Sequence, residues 1–171
     1  MVPMQKPQLI AVDTNILMRL ADGHEPTTDA WQLIKRRVHP LQFVVSPTVL
    51  RELASKISDD PDPQVRQGAQ TALRELRPRW GMQPTPFNAV QEAVAVNAAA
   101  RLQHSGLIPE QERNDALIVA ESAVLECILL VSRDSHLLDI DFEKLTFVFR
   151  ELDLSPPVIS SPEKLLKTFY I

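Results

Sequence analysis

Four acidic side chains stand at positions where folding could bring them together. Asp13 directly follows a short apolar run, and Asp134 comes shortly after another. Glu52 falls within one predicted helix, and Asp115 near the start of another. Two such charges ~4 Å apart repel by about 4 kcal/mol at an effective dielectric near 20, a cost that a bound divalent cation removes. Ligands that are all oxygen favour Mg²⁺ or Mn²⁺, and such a site suits phosphodiester hydrolysis.

Elements that would position these acids follow from the alternation of short apolar runs with amphipathic segments. Brief, continuously apolar runs are typical of strands buried on both faces, and their alternation with helices predicts a parallel sheet in an α/β domain. Ligands of such sheets bind beyond the carboxyl ends of the strands, where Asp13 and Asp134 are expected. The predicted strands are 9–12, 43–45, 128–131, 147–149 and 158–159. The predicted helices are 14–21, 26–38, 48–57, 64–77, 86–104, 109–125 and a short one from 161.

Composition excludes several other functional classes. The single cysteine, Cys127, cannot form an internal disulfide or supply a cysteine zinc cage. The four glycines are not spaced as a nucleotide-binding loop, and no two histidines have the i, i+4 spacing of a zinc-hydrolase helix. A net charge of −4 argues against a sequence-independent nucleic-acid coat, although acidic ligands can conceal a basic groove in the total. Without a long apolar run or a leader-like N-terminus, we expect a soluble cytoplasmic protein with no membrane partner.

Motifs around the four acids resemble those of one nuclease family. IAVDTNIL at 10–17 resembles the opening motif of PIN-domain nucleases, a family that includes the VapC-like toxin ribonucleases. VSPTVLREL at 45–53 is similar to the second motif, and NDALIVA at 114–120 to the third. LVSRD at 130–134, followed by HLL, resembles the fourth. VISSPEKLL at 158–166 is similar to the usual last strand and helix, so the resemblance spans most of the chain.

That resemblance implies a fold, an activity and roles for individual residues. The implied fold is a three-layer α/β/α sandwich with a central, mostly parallel sheet, and the implied activity is that of a Mg²⁺- or Mn²⁺-dependent endoribonuclease. Many bacterial members are toxins of type II toxin–antitoxin pairs and form dimers, which implies an RNA substrate, an antitoxin partner and a homodimer. By matching position, the catalytic metal-site acids are Asp13, Glu52, Asp115 and Asp134, and the supporting polar residues are Asn15 and Ser132.

Residues 59–110 depart from this pattern, and we expect them to be an extra helical insertion in a single domain spanning 1–171. Its arginines, Arg66, Arg74, Arg77 and Arg79, could contact phosphates while Trp80 stacks a base, but a solvated helix face with a partly buried tryptophan is the preferred interpretation. Three other residues that flank the acids are candidates for RNA contacts: Arg113, Arg133 and His136.

Alternatives remain open at this point. The main one is a catalytically silent PIN-like module that binds RNA or a protein and has a regulatory role. A flap-type nuclease acting on DNA is compatible with the same fold. A phosphatase of the haloacid-dehalogenase kind is disfavoured, because its chemistry needs a second aspartate two residues after the first, and Asn15 occupies that position.

Overall fold

A five-stranded parallel sheet forms the centre of the computed structural model, which describes residues 2–169. The strand order is β3-β2-β1-β4-β5, and every neighbouring pair is parallel. In the central strand, Ile10 pairs with Phe43 on one side and Leu129 on the other. The strands are β1 (Gln8–Val12), β2 (Leu41–Val45), β3 (Met82–Pro84), β4 (Leu129–Val131) and β5 (Val158–Ser160).

Helices cover both faces of this sheet, which gives the three-layer α/β/α sandwich predicted from the sequence. Among residues 2–169 they are α1 (Thr14–Ala21), α2 (Glu25–Arg37), α3 (Pro47–Asp59), α4 (Pro63–Glu75), α5 (Ala89–His104), α6 (Arg113–Val124), α7 (Ser135–Leu138), α8 (Phe142–Arg150) and α9 (Pro162–Phe169). Helix α2 packs against α9, and α4 packs against both α1 and α3. Helix α5 packs against α6 and α8, and α3 also meets α6.

Helix α6 is buried all round, unlike the amphipathic helices near it. Every residue from 115 to 123 is buried. A helix with no solvated face lies inside the protein, so polar side chains on it need partners there or from a ligand. The polar members of this buried stretch are Asp115, Glu121 and Ser122.

One predicted strand is wrong. Residues 147–149 lie in α8, where Leu145 and Phe149 are buried while Phe147 is exposed. The two buried side chains are four residues apart, which is a helical spacing. The continuous apolar run Phe147, Val148 and Phe149 suggested a buried strand, because three residues are too few to distinguish a strand from a helix segment.

Residues 59–110 are integrated into the layers. They supply α4 and α5, together with the edge strand β3, which pairs with β2 at Phe43 and Met82. The sequence did not reveal β3, because it has only three residues and includes a proline. The interpretation of this stretch as an addition to a smaller single domain stays a prediction.

Candidate functional site

The sheet reverses its winding direction between β1 and β4. The chain passes from β1 to β2 and β3 on one side, while β4 is followed by β5 on the other. In open parallel sheets the crevice at this reversal is where ligands bind. Asp13 directly follows β1 and donates its backbone N–H to the carbonyl of Val131, the last residue of β4, at 2.9 Å. The first and fourth acid motifs therefore begin side by side at this crevice.

Asp13 is held by donors on both of its carboxylate oxygens. It is 4% exposed, and its Oδ1 accepts the backbone N–H of Thr14 at 2.7 Å, which caps α1. Its Oδ2 accepts from Ser132 Oγ at 2.7 Å and from Asn15 Nδ2 at 3.2 Å. Burial raises the pKa of Asp13 to about 6, and the hydrogen bonds from Ser132 and Thr14 act in the opposite direction. The carboxylate is thus fixed in orientation before any ligand binds.

Glu52 reaches the same place from helix α3. Its Oε1 accepts from Thr14 Oγ1 at 2.9 Å, so Thr14 contacts two of the acids, Asp13 through its amide and Glu52 through its hydroxyl. Sequence reasoning missed Thr14. The available signal was a hydroxyl residue directly after the strand-end aspartate, at a junction where both its amide and side chain face the crevice.

Asp115 lies in the first turn of α6 and has an unmatched oxygen. It is 9% exposed, and its Oδ2 is buried with no hydrogen-bond partner among residues 2–169. Burial, followed by the nearby charges of Asp134 and Asp13, raises the pKa of Asp115 to about 8. A buried carboxylate oxygen without a donor is costly, so this position suits a cation.

Asp134 caps the short helix α7, with Oδ1 accepting the backbone N–H of His136 at 2.8 Å. Its own N–H donates to Ser132 Oγ at 3.0 Å, and that hydroxyl donates to Asp13. Asn15 Oδ1 accepts the N–H of Arg133 at 3.1 Å. Ser132 and Asn15 therefore link the loop after β4 to the first acid, and their role as supporting residues stays a prediction.

All four predicted acids line one open cavity of about 400 Å³. Two basic side chains, Arg19 and Lys56, line it as well. Carboxylate ligands without histidine or cysteine match the preference of Mg²⁺ and Mn²⁺, and the unmatched oxygen of Asp115 supports that fit. Within residues 2–169, however, no three His, Cys, Asp or Glu side chains are already grouped as a metal cage. The four assignments as metal ligands stay predictions.

The three candidate RNA contacts have different surroundings. Arg133 Nη1 lies 3.0 Å from Glu163 Oε1, and its side chain is largely covered. His136 is exposed, and its Nε2 lies 3.8 Å from Glu112 Oε1. Arg113 is exposed on a neighbouring groove, and none of the three side chains lines the carboxylate cavity.

That neighbouring groove connects to the carboxylate cavity through shared walls. A second depression lies between the cavity and the groove. It shares Glu52 and Lys56 with the cavity, and it shares Arg51 with the groove. The groove encloses about 800 Å³, and Arg77 and Arg113 lie along it. The sequence analysis preferred a solvated helix face for Arg77, whereas the structure places it after the end of α4, on a wall of this groove.

Comparison with known proteins assigns the family. The PIN domain family model matches residues 10–143. Because this match covers more than half of the chain, the chain belongs to the PIN domain family. PIN domains are generally nucleases, so this membership supports hydrolysis of nucleic acid. No curated protein sequence matches the chain at a significant level.

Solved structures share the fold at low sequence identity. VapBC2 from Rickettsia felis, bound to a DNA fragment from their promoter, aligns with a TM-score of 0.61 and 17% identity, covering 90% of this chain and 98% of that chain. VapBC-1 from nontypeable Haemophilus influenzae aligns with a TM-score of 0.58 and 15% identity, over 91% and 98%. FitAcB from Neisseria gonorrhoeae aligns with a TM-score of 0.51 and 14% identity, over 90% and 97%. Among residues 2–169, no helix is both long and apolar enough to cross a membrane.

Proposed function

We propose that this protein is a divalent-metal-dependent endoribonuclease. The observation that carries the proposal is the shared cavity, in which Asp13, Glu52, Asp115 and Asp134 meet at the winding reversal of the sheet. Membership of the PIN domain family supports the same activity. The buried, unmatched oxygen of Asp115 supports a cation among these acids.

The four carboxylates would hold Mg²⁺ or Mn²⁺. A divalent cation of this kind supplies Lewis-acid stabilisation of the charge that develops on the transferring phosphoryl group. Ser132, Asn15 and Thr14 keep Asp13 in one orientation, and Thr14 also holds Glu52. Positioning of this kind before substrate arrives lowers the cost of reaching the reactive arrangement.

Other side chains of the cavity would handle the substrate directly. Arg19 and Lys56 on the cavity wall can bind phosphate oxygens. Covalent catalysis by cysteine is disfavoured, because burial raises the pKa of the Cys127 thiol to about 12 and keeps it protonated at neutral pH. Cys127 also does not line the cavity, and we propose direct attack by water without a covalent enzyme intermediate.

The connected groove is a path for a single RNA strand leaving the cavity. Arg51, Arg77 and Arg113 along it can contact successive phosphates, and Phe87 offers a ring for a base. Within residues 2–169, neither Arg77 nor Arg113 lies within 4.0 Å of a carboxylate oxygen, so both guanidinium groups are available. Arg133 is a weaker candidate because Glu163 already pairs with it.

A toxin role with an antitoxin partner is the biological setting that we propose. The structural neighbours are VapBC toxin–antitoxin proteins, which supports this setting through the fold. We expect a small DNA-binding protein to be encoded beside this gene. Expression of this chain alone should arrest growth, and co-expression of that protein should relieve the arrest. Growth unaffected by expression of this chain alone would contradict the toxin role without affecting the nuclease proposal.

We also propose a homodimer. Val90 on α5 is an exposed apolar side chain that does not line the groove, and in a homodimer it would pack against the second copy. Sedimentation should give twice the mass of the chain, and a Val90→Asp variant should be monomeric. A monomeric wild-type protein at micromolar concentration would contradict this proposal.

A silent binding module is the second candidate. The observation on its side is the loose grouping of the acids, since no three metal-ligating side chains among residues 2–169 are already placed as a cage. Titration with Mn²⁺ distinguishes the two candidates. Binding in the micromolar to millimolar range supports the nuclease, and its absence supports the module.

Cleavage assays test the proposal directly. Structured RNA, single-stranded RNA and single-stranded DNA are incubated with the protein in Mn²⁺, Mg²⁺ or EDTA. We expect metal-dependent internal cleavage of RNA, none in EDTA, and none by a folded Asp115→Asn variant. Unaltered Mn²⁺-dependent activity in Asp115→Asn would overturn the site, and cleavage of DNA alone would overturn the substrate assignment.

A further inference from the structure

Helix α3, which carries Glu52, lacks a side-chain cap of its own. Its N-cap residue, Ser46, makes no side-chain capping bond, and Ser46 Oγ is buried with no hydrogen-bond partner in the described part of the chain. The first amides of any helix have no partner within the helix. Pro47 has no N–H, so the first amide that needs an acceptor in this turn is that of Thr48.

A glutamate from another helix supplies the missing acceptor. The backbone N–H of Thr48 donates to Glu121 on α6, at 2.9 Å to Oε1 and 3.4 Å to Oε2. Thr48 Oγ1 also donates to Glu121 Oε1 at 2.9 Å. Arg51 Nη2 donates to Thr48 Oγ1 at 2.8 Å. Glu121 is 3% exposed, so this cap is made inside the protein.

The cap joins the two helices that carry Glu52 and Asp115. Thr48 precedes Glu52 by one helical turn, about 6 Å along α3, and Asp115 precedes Glu121 by six residues, about 9 Å along α6. A fixed link so near both acids limits how far α3 can slide or tilt relative to α6. Thr14 holds Glu52 from the other side.

We propose that Glu121 is a positioning residue that sets the separation of Glu52 from Asp115 through its bonds to Thr48. This inference rests on the proposed metal-dependent function. Neither Glu121 nor Thr48 lines the carboxylate cavity, so Glu121 acts through α3 and not by contact with the cation. Burying a carboxylate carries a desolvation penalty, but the carboxylate supplies two acceptor oxygens with a fixed direction.

Calorimetric titration of the full chain with Mn²⁺ tests this role. Glu121→Ala is expected to weaken Mn²⁺ binding about tenfold to a hundredfold, as loss of outer-shell partners does at metal sites. Glu121→Gln keeps one oxygen for both Thr48 bonds and is expected to bind within about threefold of wild type. Amide exchange of Thr48 without metal should be faster in Glu121→Ala than in wild type or Glu121→Gln.

Ser122→Ala is the matched control. Ser122 is the buried neighbour of Glu121 on α6, and its hydroxyl donates to the carbonyl of Ile118 within the same helix at 2.7 Å. The variant should lower Tm without changing Mn²⁺ affinity. If Ser122→Ala weakens Mn²⁺ binding as much as Glu121→Ala, the effect is one of general stability and the positioning role is overturned.

Remaining outcomes separate the two proposals. Mn²⁺ binding in wild type with equal affinity in Glu121→Ala would overturn the positioning role alone. No Mn²⁺ binding in wild type would overturn the proposed function and this inference with it. If Glu121→Ala does not fold, Thr48→Val removes the hydroxyl bond but keeps the amide bond, and it should give a smaller loss of Mn²⁺ affinity in the same direction. Unchanged affinity in Thr48→Val would then contradict the inference.

Discussion

Two sides of one cavity are built differently. On the β1–β4 side, three donors from the protein satisfy Asp13. On the α6 side, an oxygen of Asp115 is buried with no donor, close to other negative charges. Burial raises the pKa of both groups, but further for Asp115, to about 8 against about 6. The difference indicates that the protein itself satisfies the carboxylate on one side, whereas on the other side a carboxyl group without a donor would be ionised by a bound cation.

Cleavage should depend on both sides, and this is the largest effect expected. Asp13→Asn and Asp115→Asn should each lower Mn²⁺-dependent RNA cleavage by on the order of a hundredfold or more, as removal of one preorganised charge-stabilising group does in other enzymes. Single-turnover assays measure it. Asp22→Asn is the control, because Asp22 lines the same cavity outside the four motifs and should stay within about threefold of wild type. Equal loss in Asp22→Asn would mean that total charge, rather than the four acids, controls cleavage.

Removing a hydrogen-bond donor to Asp13 on the β1–β4 side should destabilise the protein. Ser132→Ala is expected to lower the free energy of unfolding by about 1.5–3 kcal/mol at pH 8, because its hydroxyl bonds to the charged form of Asp13. Urea denaturation measures the change. Ser122→Ala, which loses a buried bond between uncharged groups, should cost about 0.5–1.5 kcal/mol. If Ser122→Ala lowers the free energy of unfolding more than Ser132→Ala does, then Asp13 on the β1–β4 side is not held by a charge-assisted bond.

Removing the charge on the other side should stabilise the metal-free protein. The folded pKa of Asp115, about 8, lies above its ordinary value of 3.8, so folding favours the protonated form. The contribution of protonated Asp115 to the free energy of unfolding is therefore complete below pH about 4 and is lost as pH rises through about 8. In EDTA, the stability of Asp115→Asn relative to wild type should increase by on the order of a few kcal/mol between pH 5 and pH 9. Wild-type stability that rises between pH 5 and 9 while the variant's stays flat would contradict this sign.

The smallest effect concerns the connected groove. The double variant Arg77→Ala, Arg113→Ala should weaken binding of single-stranded RNA in EDTA about three- to tenfold and make binding less sensitive to salt. Fluorescence anisotropy at several salt concentrations measures both. Arg79→Ala is the control, because Arg79 is exposed on a different depression beside Trp80. An equal loss in Arg79→Ala would indicate general charge attraction.

The sequence predicted those parts of the site that depend on local chain order. Asp13 and Asp134 each follow a buried strand, and parallel strands place their carboxyl ends at one edge, so their proximity follows from pattern alone. Glu52 and Asp115 needed the motif resemblance as well, since a glutamate on an amphipathic helix is usually solvated. Strand β3 and the wrong strand at 147–149 show the limit, because three residues carry too little periodicity.

Contacts between distant segments could not be read from the sequence. The bonds of Thr14 to Glu52 and of Glu121 to Thr48 join residues 38 and 73 positions apart. Glu121 sits on a helix whose apolar pattern runs all round, so its sequence does not show which face meets α3. Trp80 is buried, so it is unavailable to stack a base, and this too depends on packing.

Crystals soaked in Mn²⁺ and measured at the manganese absorption edge test the central claim most directly. We predict an anomalous peak inside the cavity, within coordinating distance of oxygens from Asp115 and at least two of Asp13, Glu52 and Asp134. Absence of a peak there at millimolar Mn²⁺, or a peak elsewhere with these carboxylates more than about 10 Å from it, would contradict a cation site formed by the four acids.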